Sequence, residues 1–261
     1  MSQTLEVFFY LRLELTAMTY MTIEHAARHA WPSIEEKQLP YGLLRFAHGY
    51  TKRANSMNLF SNVYVDGIEL AEQCEEFFGR RKQPAIVRVP SFSSTSKLDR
   101  VLQGCGYNVT SPSRVMIKAL SKSCSSSIKP LHLDINTWLD VYYEISGEEL
   151  SQRDIHTRLL RRVNGSPLYV CLENEVGDPV CCAIAIFFND VIGIYSVVTS
   201  PEFQRRQFAT LLLDALLARG RRGRATHAFL QVEESNEAAI KLYNKLGFKT
   251  FYRYWYREKT Q

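Results

Sequence analysis

The 261-residue chain has no apolar run long enough to cross a bilayer as a helix, which argues against a membrane-spanning segment. Its six cysteines, Cys74, Cys105, Cys124, Cys171, Cys181 and Cys182, form no CxxC pair, and Cys181-Cys182 sits inside an apolar run. That pattern lacks the spacing of a metal site and fits reduced, mostly buried thiols in a cytoplasmic protein. The six histidines (His25, His29, His48, His132, His156, His227) show no ligand pattern either; His25 and His29 lie four apart on a candidate helix, with no third ligand nearby. Neither sign of charge dominates. A net charge of +5 and a pI near 8.8 suit a polyanionic ligand such as a nucleotide cofactor, but fall short of the basic footprint of a dedicated nucleic-acid binder. The apolar start, Thr4 to Leu13, lacks a basic n-region and a small-residue cleavage site. It is read as a strand, or as an addition upstream of a start at Met18 or Met21, rather than as a signal peptide.

What is present is an ordinary globular balance, 46% hydrophobic and 23% charged, in a chain long enough for one large domain or two small ones. The Ser-rich stretch Ser121 to Pro130 has the composition of a flexible connector and places a boundary there: residues 1–120, a linker at 121–130, and residues 131–261. In the second part, helices are expected at Ile135–Tyr143, Glu148–Val163, Arg206–Arg219 and Glu237–Leu246. Strands are expected at Leu168–Leu172, Val180–Phe188, Ile192–Thr199, Ala228–Val232 and Thr250–Tyr256. Leu211, Leu212, Leu213, Leu216 and Leu217 nearly encircle the third helix, so it should be buried on most sides.

The first part repeats the end of this order. Asp66 is a candidate N-cap with Glu69 three residues on, before a stripe of Ile68, Ala71, Cys74, Phe77 and Phe78. A strand at Ala85–Val89, a helix at Lys97–Gln103 ending in Gly104-Cys105-Gly106-Tyr107, and a strand at Val115–Leu120 follow. Leu98-x-x-Val101-Leu102-x-x-Cys105-Gly106-Tyr107 parallels Ala239-x-x-Leu242-Tyr243-x-x-Leu246-Gly247-Phe248. A degenerate internal repeat is inferred, with Leu102 in the place of Tyr243 and Thr95 near that of Asn236.

Two segments carry candidate chemistry. In Ser196 to Thr210 a strand runs into a helix, whose first N–H groups and positive dipole end form a ready phosphate site, with Arg205 and Arg206 beside it. In Leu230 to Phe248 a strand, a short polar loop with Asn236, and a helix end at Gly247-Phe248. Together these resemble the acetyl-CoA-binding core of the GNAT acetyltransferase superfamily, over residues 131 to 258. A further resemblance, to a bacterial GNAT subgroup with an N-terminal domain before the transferase, rests on Trp31 to Glu35, Leu43 to Phe46, Gly49 to Ser56 and Tyr252 to Arg257.

The resemblance implies an α/β fold with a twisted mixed sheet flanked by helices, in tandem with a degenerate N-terminal copy that shapes the acceptor site. It implies an N-acetyltransferase using acetyl-CoA as cosubstrate and an amine of a small molecule or peptide as acceptor. Position by position, Gln204 and Ala209 match the first and last places of the pyrophosphate loop, which runs through Arg205, Arg206, Gln207 and Phe208 to Thr210. Gln207 stands where glycine is usual, and a negative φ there would leave its N–H available. Val197, Val198 and Thr199 match the strand that pairs with pantetheine, Asn236 the residue bonding the cofactor near its thiol, and Tyr243 the tyrosine that protonates the leaving thiolate. Asp190, Glu233 and Glu234 are the general-base candidates, and none is assigned. A catalytically weak CoA-binding module, or a transferase for an RNA- or ribosome-borne amine, are the competing readings; a homodimer is left open.

Overall fold

The computed structural model describes residues 20–60, 65–92, 95–121, 126 and 128–260; the start at Thr4–Leu13 and most of the Ser-rich connector, with Cys124, lie outside them. Helix α1 covers residues 20–30. It is followed by strands β1 (Glu35–Leu39), β2 (Gly42–Phe46) and β3 (Met57–Leu59), helix α2 (Gly67–Gly79), strand β4 (Ala85–Pro90), helix α3 (Thr95–Gly104) and strand β5 (Asn108–Ala119). After the connector come β6 (Leu131–Leu133), α4 (Ile135–Ser146), α5 (Arg153–Leu160), β7 (Ser166–Glu173), β8 (Pro179–Phe188), β9 (Val191–Thr199), α6 (Phe208–Arg222), β10 (His227–Glu233), α7 (Glu237–Lys245) and β11 (Lys249–Lys259).

Local chemistry explains the element ends. Asp66 caps α2, its carboxylate accepting from Ile68 N at 2.8 Å and Glu69 N at 3.3 Å. Asp134 does the same for α4 from Asn136 N and Thr137 N. Gly247 ends α7 at φ +87°, a left-handed turn that glycine enters without steric penalty. The expected helix over Glu148–Val163 is shorter: a 3₁₀ turn at Leu150–Gln152 precedes α5, which stops at Leu160.

All strands join one mixed 11-stranded sheet, in the order β1-β2-β3-β4-β11-β5-β10-β9-β8-β7-β6. The centre is interleaved. β11, from the end of the chain, lies antiparallel between β4 and β5; β5, from the first half, lies antiparallel between β11 and β10. A parallel pair flanks each side, β3 with β4 and β9 with β10. Apart from β6, the sheet thus reads alike on either side of the β11–β5 pair.

One face carries α1, α4 and α5 over a shared core that includes Trp31, Trp138, Tyr195, Phe229, Tyr252, Tyr254 and Tyr256. The other carries α2 and α3 over the first half and α6 and α7 over the second, with Leu70, Phe78 and Leu102 buried in one cluster and Leu212, Leu216 and Tyr243 in the other. A buried ion pair fixes α1 to the sheet: Arg88 donates to both Glu24 oxygens at 2.6 and 2.9 Å, and Tyr252 O–H donates to the same carboxylate. Arg88 and Tyr252 hold Glu24 ionised against the desolvation that burial imposes.

Candidate active site

The parallel pairing of β9 with β10 ends at Ile194–Leu230, although both strands continue, to Thr199 and to Glu233. Past that point the two backbones diverge. The cause lies on the other side of β9, where a β-bulge sets Ser196 and Val197 opposite the single residue Ala183, with Ser196 at φ +49°. Val198 and Thr199 keep their partners Cys182 and Cys181 on β8 but have none on β10. A half-buried backbone edge at Val197, Val198 and Thr199 is therefore free to pair with an extended ligand.

This edge leads into the loop Gln204–Gln207 and the start of α6, which begins at Phe208, two residues later than expected. The first intrahelical bond is Leu211 N to Gln207 O; among the described residues, no acceptor is found for the N–H groups of Arg205 through Thr210. Arg205 and Gln207 both have positive φ, +63° and +67°, on either side of Arg206. Alternation of hand turns successive N–H groups to one side and makes an anion-binding concavity. The condition of a negative φ at Gln207 is not met: the chain keeps the left-handed backbone of the missing glycine and carries the steric strain of a side chain there, about 1–2 kcal/mol. Gln204, Arg205, Arg206 and Gln207 are exposed, while Phe208, Ala209 and Thr210 are half-buried. Arg206 lies over Phe203 at 5.3 Å.

On the far wall, Asn236 caps α7, its side-chain oxygen accepting from Ala239 N at 3.0 Å, which leaves its amide N–H₂ as a donor. Tyr243, one helix turn before Gly247, is only 8% exposed and packs against Phe248. Burial, then the nearby Cys181 thiol, pushes its hydroxyl up to about 12. Cys181 in turn accepts from Thr199 Oγ1 at 3.3 Å, so Tyr243 sits beside the end of the free β9 edge.

The base candidates separate cleanly. Asp190 lies in the β8–β9 turn, bonded to Thr226 Oγ1 at 3.0 Å, about 25 Å along the strand from Val198. Glu234 is held by Arg114 at 3.1 Å and Arg253 at 2.9 Å, and these bonds hold its carboxyl low despite partial burial. Glu233, at the end of β10 past its last pair with β9, is exposed and lines a cavity of about 240 Å³ with Gln231, Tyr254, Tyr256 and Arg53. Sequence reasoning did not find this cavity, because its walls come from strands distant in the chain.

A free strand edge, an uncapped helix start beyond it and a strand–Asn–helix–Tyr–Gly unit beside it thus lie together in the second half. Residues 19–257 match the model of a family described as "Probable histone acetyltransferase Rv0428c C-terminal". The chain belongs to this family, within the GNAT acetyltransferases. The N-acetyltransferase YobR of Bacillus subtilis (strain 168) is 22% identical over 244 residues, covering 91% of this chain and 97% of that protein. The [ribosomal protein bS18]-alanine N-acetyltransferase of Salmonella typhimurium is 35% identical over 86 residues, 33% of this chain and 58% of that one. Among solved structures, a GCN5-related N-acetyltransferase from Kribbella flavida superposes with TM-score 0.60 at 13% identity, covering 94% of this chain and 95% of that one. A tandem GNAT protein of the clavulanic acid pathway gives 0.60 at 12% identity, covering 78% and 73%. At these identities the structures speak for the fold.

As a GNAT enzyme the chain is an N-acetyltransferase, and acetyl-CoA is the general donor of that superfamily. The residues above fit such a molecule: an anion cradle for a pyrophosphate, an unpaired strand edge for the amide groups of a pantetheine arm, and a protonated phenol near the arm's far end. Among the described residues, no group of histidine, cysteine and carboxylate could hold a metal ion, and no helix is long and apolar enough to cross a membrane.

Proposed function

We propose that the protein transfers an acetyl group from acetyl-CoA to an amine, with the pyrophosphate in the Gln204–Thr210 loop and the pantetheine along Val197–Thr199. The observation that carries this is the gap opened by the Ser196 bulge, which leads straight into the uncapped start of α6. Arg205 and Arg206 add charge at its mouth, and the Asn236 amide can donate to the arm's end.

The chemistry follows from the arrangement. The amine nitrogen attacks the thioester carbonyl, a C–N bond forms, and the oxyanion takes a backbone N–H of the free β9 edge. The C–S bond then breaks. Tyr243 is protonated throughout the neutral range, as a donor must be. A phenol at about 12 is, however, a weaker acid than a thiol at about 8.5. Its role is accordingly to hydrogen-bond the departing sulfur, with full transfer coupled to loss of the amine's own proton. Glu233 is the base the site offers. The first half completes the acceptor side, since the cavity in front of β10 is walled by β5, β11 and the 3₁₀ turn at Lys52–Ala54.

The test is calorimetry of the full chain with acetyl-CoA and with desulfo-CoA, alongside Gln204→Ala and Arg206→Glu. Micromolar binding that weakens in Arg206→Glu is expected; binding that ignores this variant would remove the pyrophosphate from this loop.

A further inference from the structure

The motif Gly49 to Ser56 lies outside the proposed cofactor loop and strand edge, and its shape is held by several side-chain hydrogen bonds. Asn55 is its hub: its oxygen accepts from Ala47 N at 2.7 Å and Gly49 N at 3.0 Å, and its amide donates to the carbonyls of Tyr50 and Thr51, both at 2.9 Å. Thr51 is held at φ +58°, a strained backbone for a β-branched residue, with its hydroxyl accepting from Trp31 Nε1 at 3.0 Å. What this loop presents is Arg53, over the Trp31 ring at 5.4 Å, at the edge of the cavity in front of β10.

The charges in that cavity are unevenly matched. Lys52 is neutralised by Glu258 at 2.5 Å. Among the described residues, the Arg53 guanidinium has no carboxylate within ion-pair distance and the Glu233 carboxylate has no cation, and the two do not pair with each other. Glu234, one residue on, has two arginines. In the same cavity wall, Gln231 spends its oxygen on the Tyr254 hydroxyl at 2.9 Å and keeps its N–H₂ to donate. The Arg53 charge also acts on the hydroxyls of Tyr50, Tyr195 and Tyr256, and the Tyr195 hydroxyl is fully buried with no partner. One free cation with an amide donor beside it, and one free anion across a small space, is the complement of a zwitterion.

The geometry points to an acceptor that carries a carboxylate beside its amine, a free α-amino acid, with Arg53 and Gln231 taking the carboxylate and Glu233 the ammonium. A volume near 240 Å³ holds one such molecule. This rests on the reading that acetyl-CoA lies between β9 and β10, since the amine at Glu233 must face its thioester. In the reaction the ammonium gives one proton to Glu233, the neutral amine forms the C–N bond, the C–S bond breaks with its electron pair leaving on sulfur, and the second N–H proton ends on that thiolate. The products are the N-acetyl amino acid and CoA thiol.

The experiment is CoA release by the full chain with acetyl-CoA and matched trios: each standard α-amino acid, its α-carboxamide, and the amine without the carboxyl group. The expected result is at least one amino acid favoured about 10²-fold in kcat/KM over its carboxamide, the worth of a charge-assisted bond pair. In Arg53→Met that ratio should collapse toward one, and in Arg53→Lys part of it should remain. Calorimetry of the same amino acids with the CoA-loaded protein gives a second readout, in which Arg53→Met should lose binding. Carboxamides or N-terminal peptides used as well as the free acids, or a ratio unmoved by Arg53→Met, would overturn the inference while leaving the acetyl-CoA reading intact. Absence of acetyl-CoA binding would overturn both.

Discussion

The two halves of this molecule follow one plan and end it differently. In each, a parallel strand pair leads through a helix to a Gly-aromatic stop, Gly106-Tyr107 at φ +86° and Gly247-Phe248 at φ +87°, and then to a central strand. The differences fall where a cofactor would bind. α2 begins under Asp66, whose carboxylate already occupies the helix's first N–H groups and repels a phosphate; α6 begins with no cap and with two arginines. α3 presents buried Leu102 where α7 presents the Tyr243 hydroxyl. The acid at the start of α2 and the missing hydroxyl on α3 are the two departures that our proposal takes as marking the first half as a scaffold. The halves are also interleaved, since β11 lies between two strands of the first half and β5 between two of the second.

The sharpest way to break the comparison is to cut it. A fragment of residues 128–261 lacks β5, which leaves β10 and β11 without the strand that joins them. Loss of cooperative unfolding and of near-ultraviolet circular dichroism is expected. A fragment that melts cooperatively and binds acetyl-CoA would show the halves to be independent.

Next in size is Tyr243→Phe, which makes the second half resemble the first at this position. Packing is kept and a hydrogen bond to the leaving sulfur is lost, so kcat should fall about 10²–10³-fold with little change in the KM for acetyl-CoA. In the parent, a phenol at about 12 stays protonated as pH rises, so no alkaline loss of rate from this group should be seen until the pH nears that value. A parent-like kcat, where chemistry limits the rate, would place Tyr243 in the core alone.

Smaller effects test the helix starts. Asp66→Ala removes the α2 cap and should cost about 1 kcal/mol, a fall of roughly 2–4 °C in Tm with catalysis unchanged. Gln207→Gly relieves the left-handed strain, but frees the unfolded chain; the two oppose, leaving a net gain of at most about 1 kcal/mol in stability and a few-fold tighter acetyl-CoA binding. Weaker binding would instead assign the Gln207 side chain a direct contact.

Much of the second half was legible because each of its elements buries residues near in sequence. The leucines of α6 and the Gly247 stop are local signals and stand where the pattern put them; of the two cap candidates that the sequence offers for α7, Ser235 and Asn236, it is Asn236. The start of α6 was misplaced by two residues because Gln207 hides a conformation that glycine would have advertised. The acceptor side stayed unread for another reason. Arg53, Gln231 and Tyr254 meet only because β11 returns beside β4, and no periodicity reports a neighbour so far along the chain. Strands β1 to β3 were also missed; β3 has three residues, β1 is largely exposed and β2 largely buried, so little alternation marks them.

The interleaved centre of the sheet sets an order on synthesis. β4 and β5 are made well before the strand that lies between them, β11. Until then both present open edges rich in Val and Ile, Ala85–Val89 and Val115–Ile117, of the kind that recruits strands from other chains. The arrival of residues 249–259 covers both edges and, in the same step, completes the wall of the cavity in front of β10.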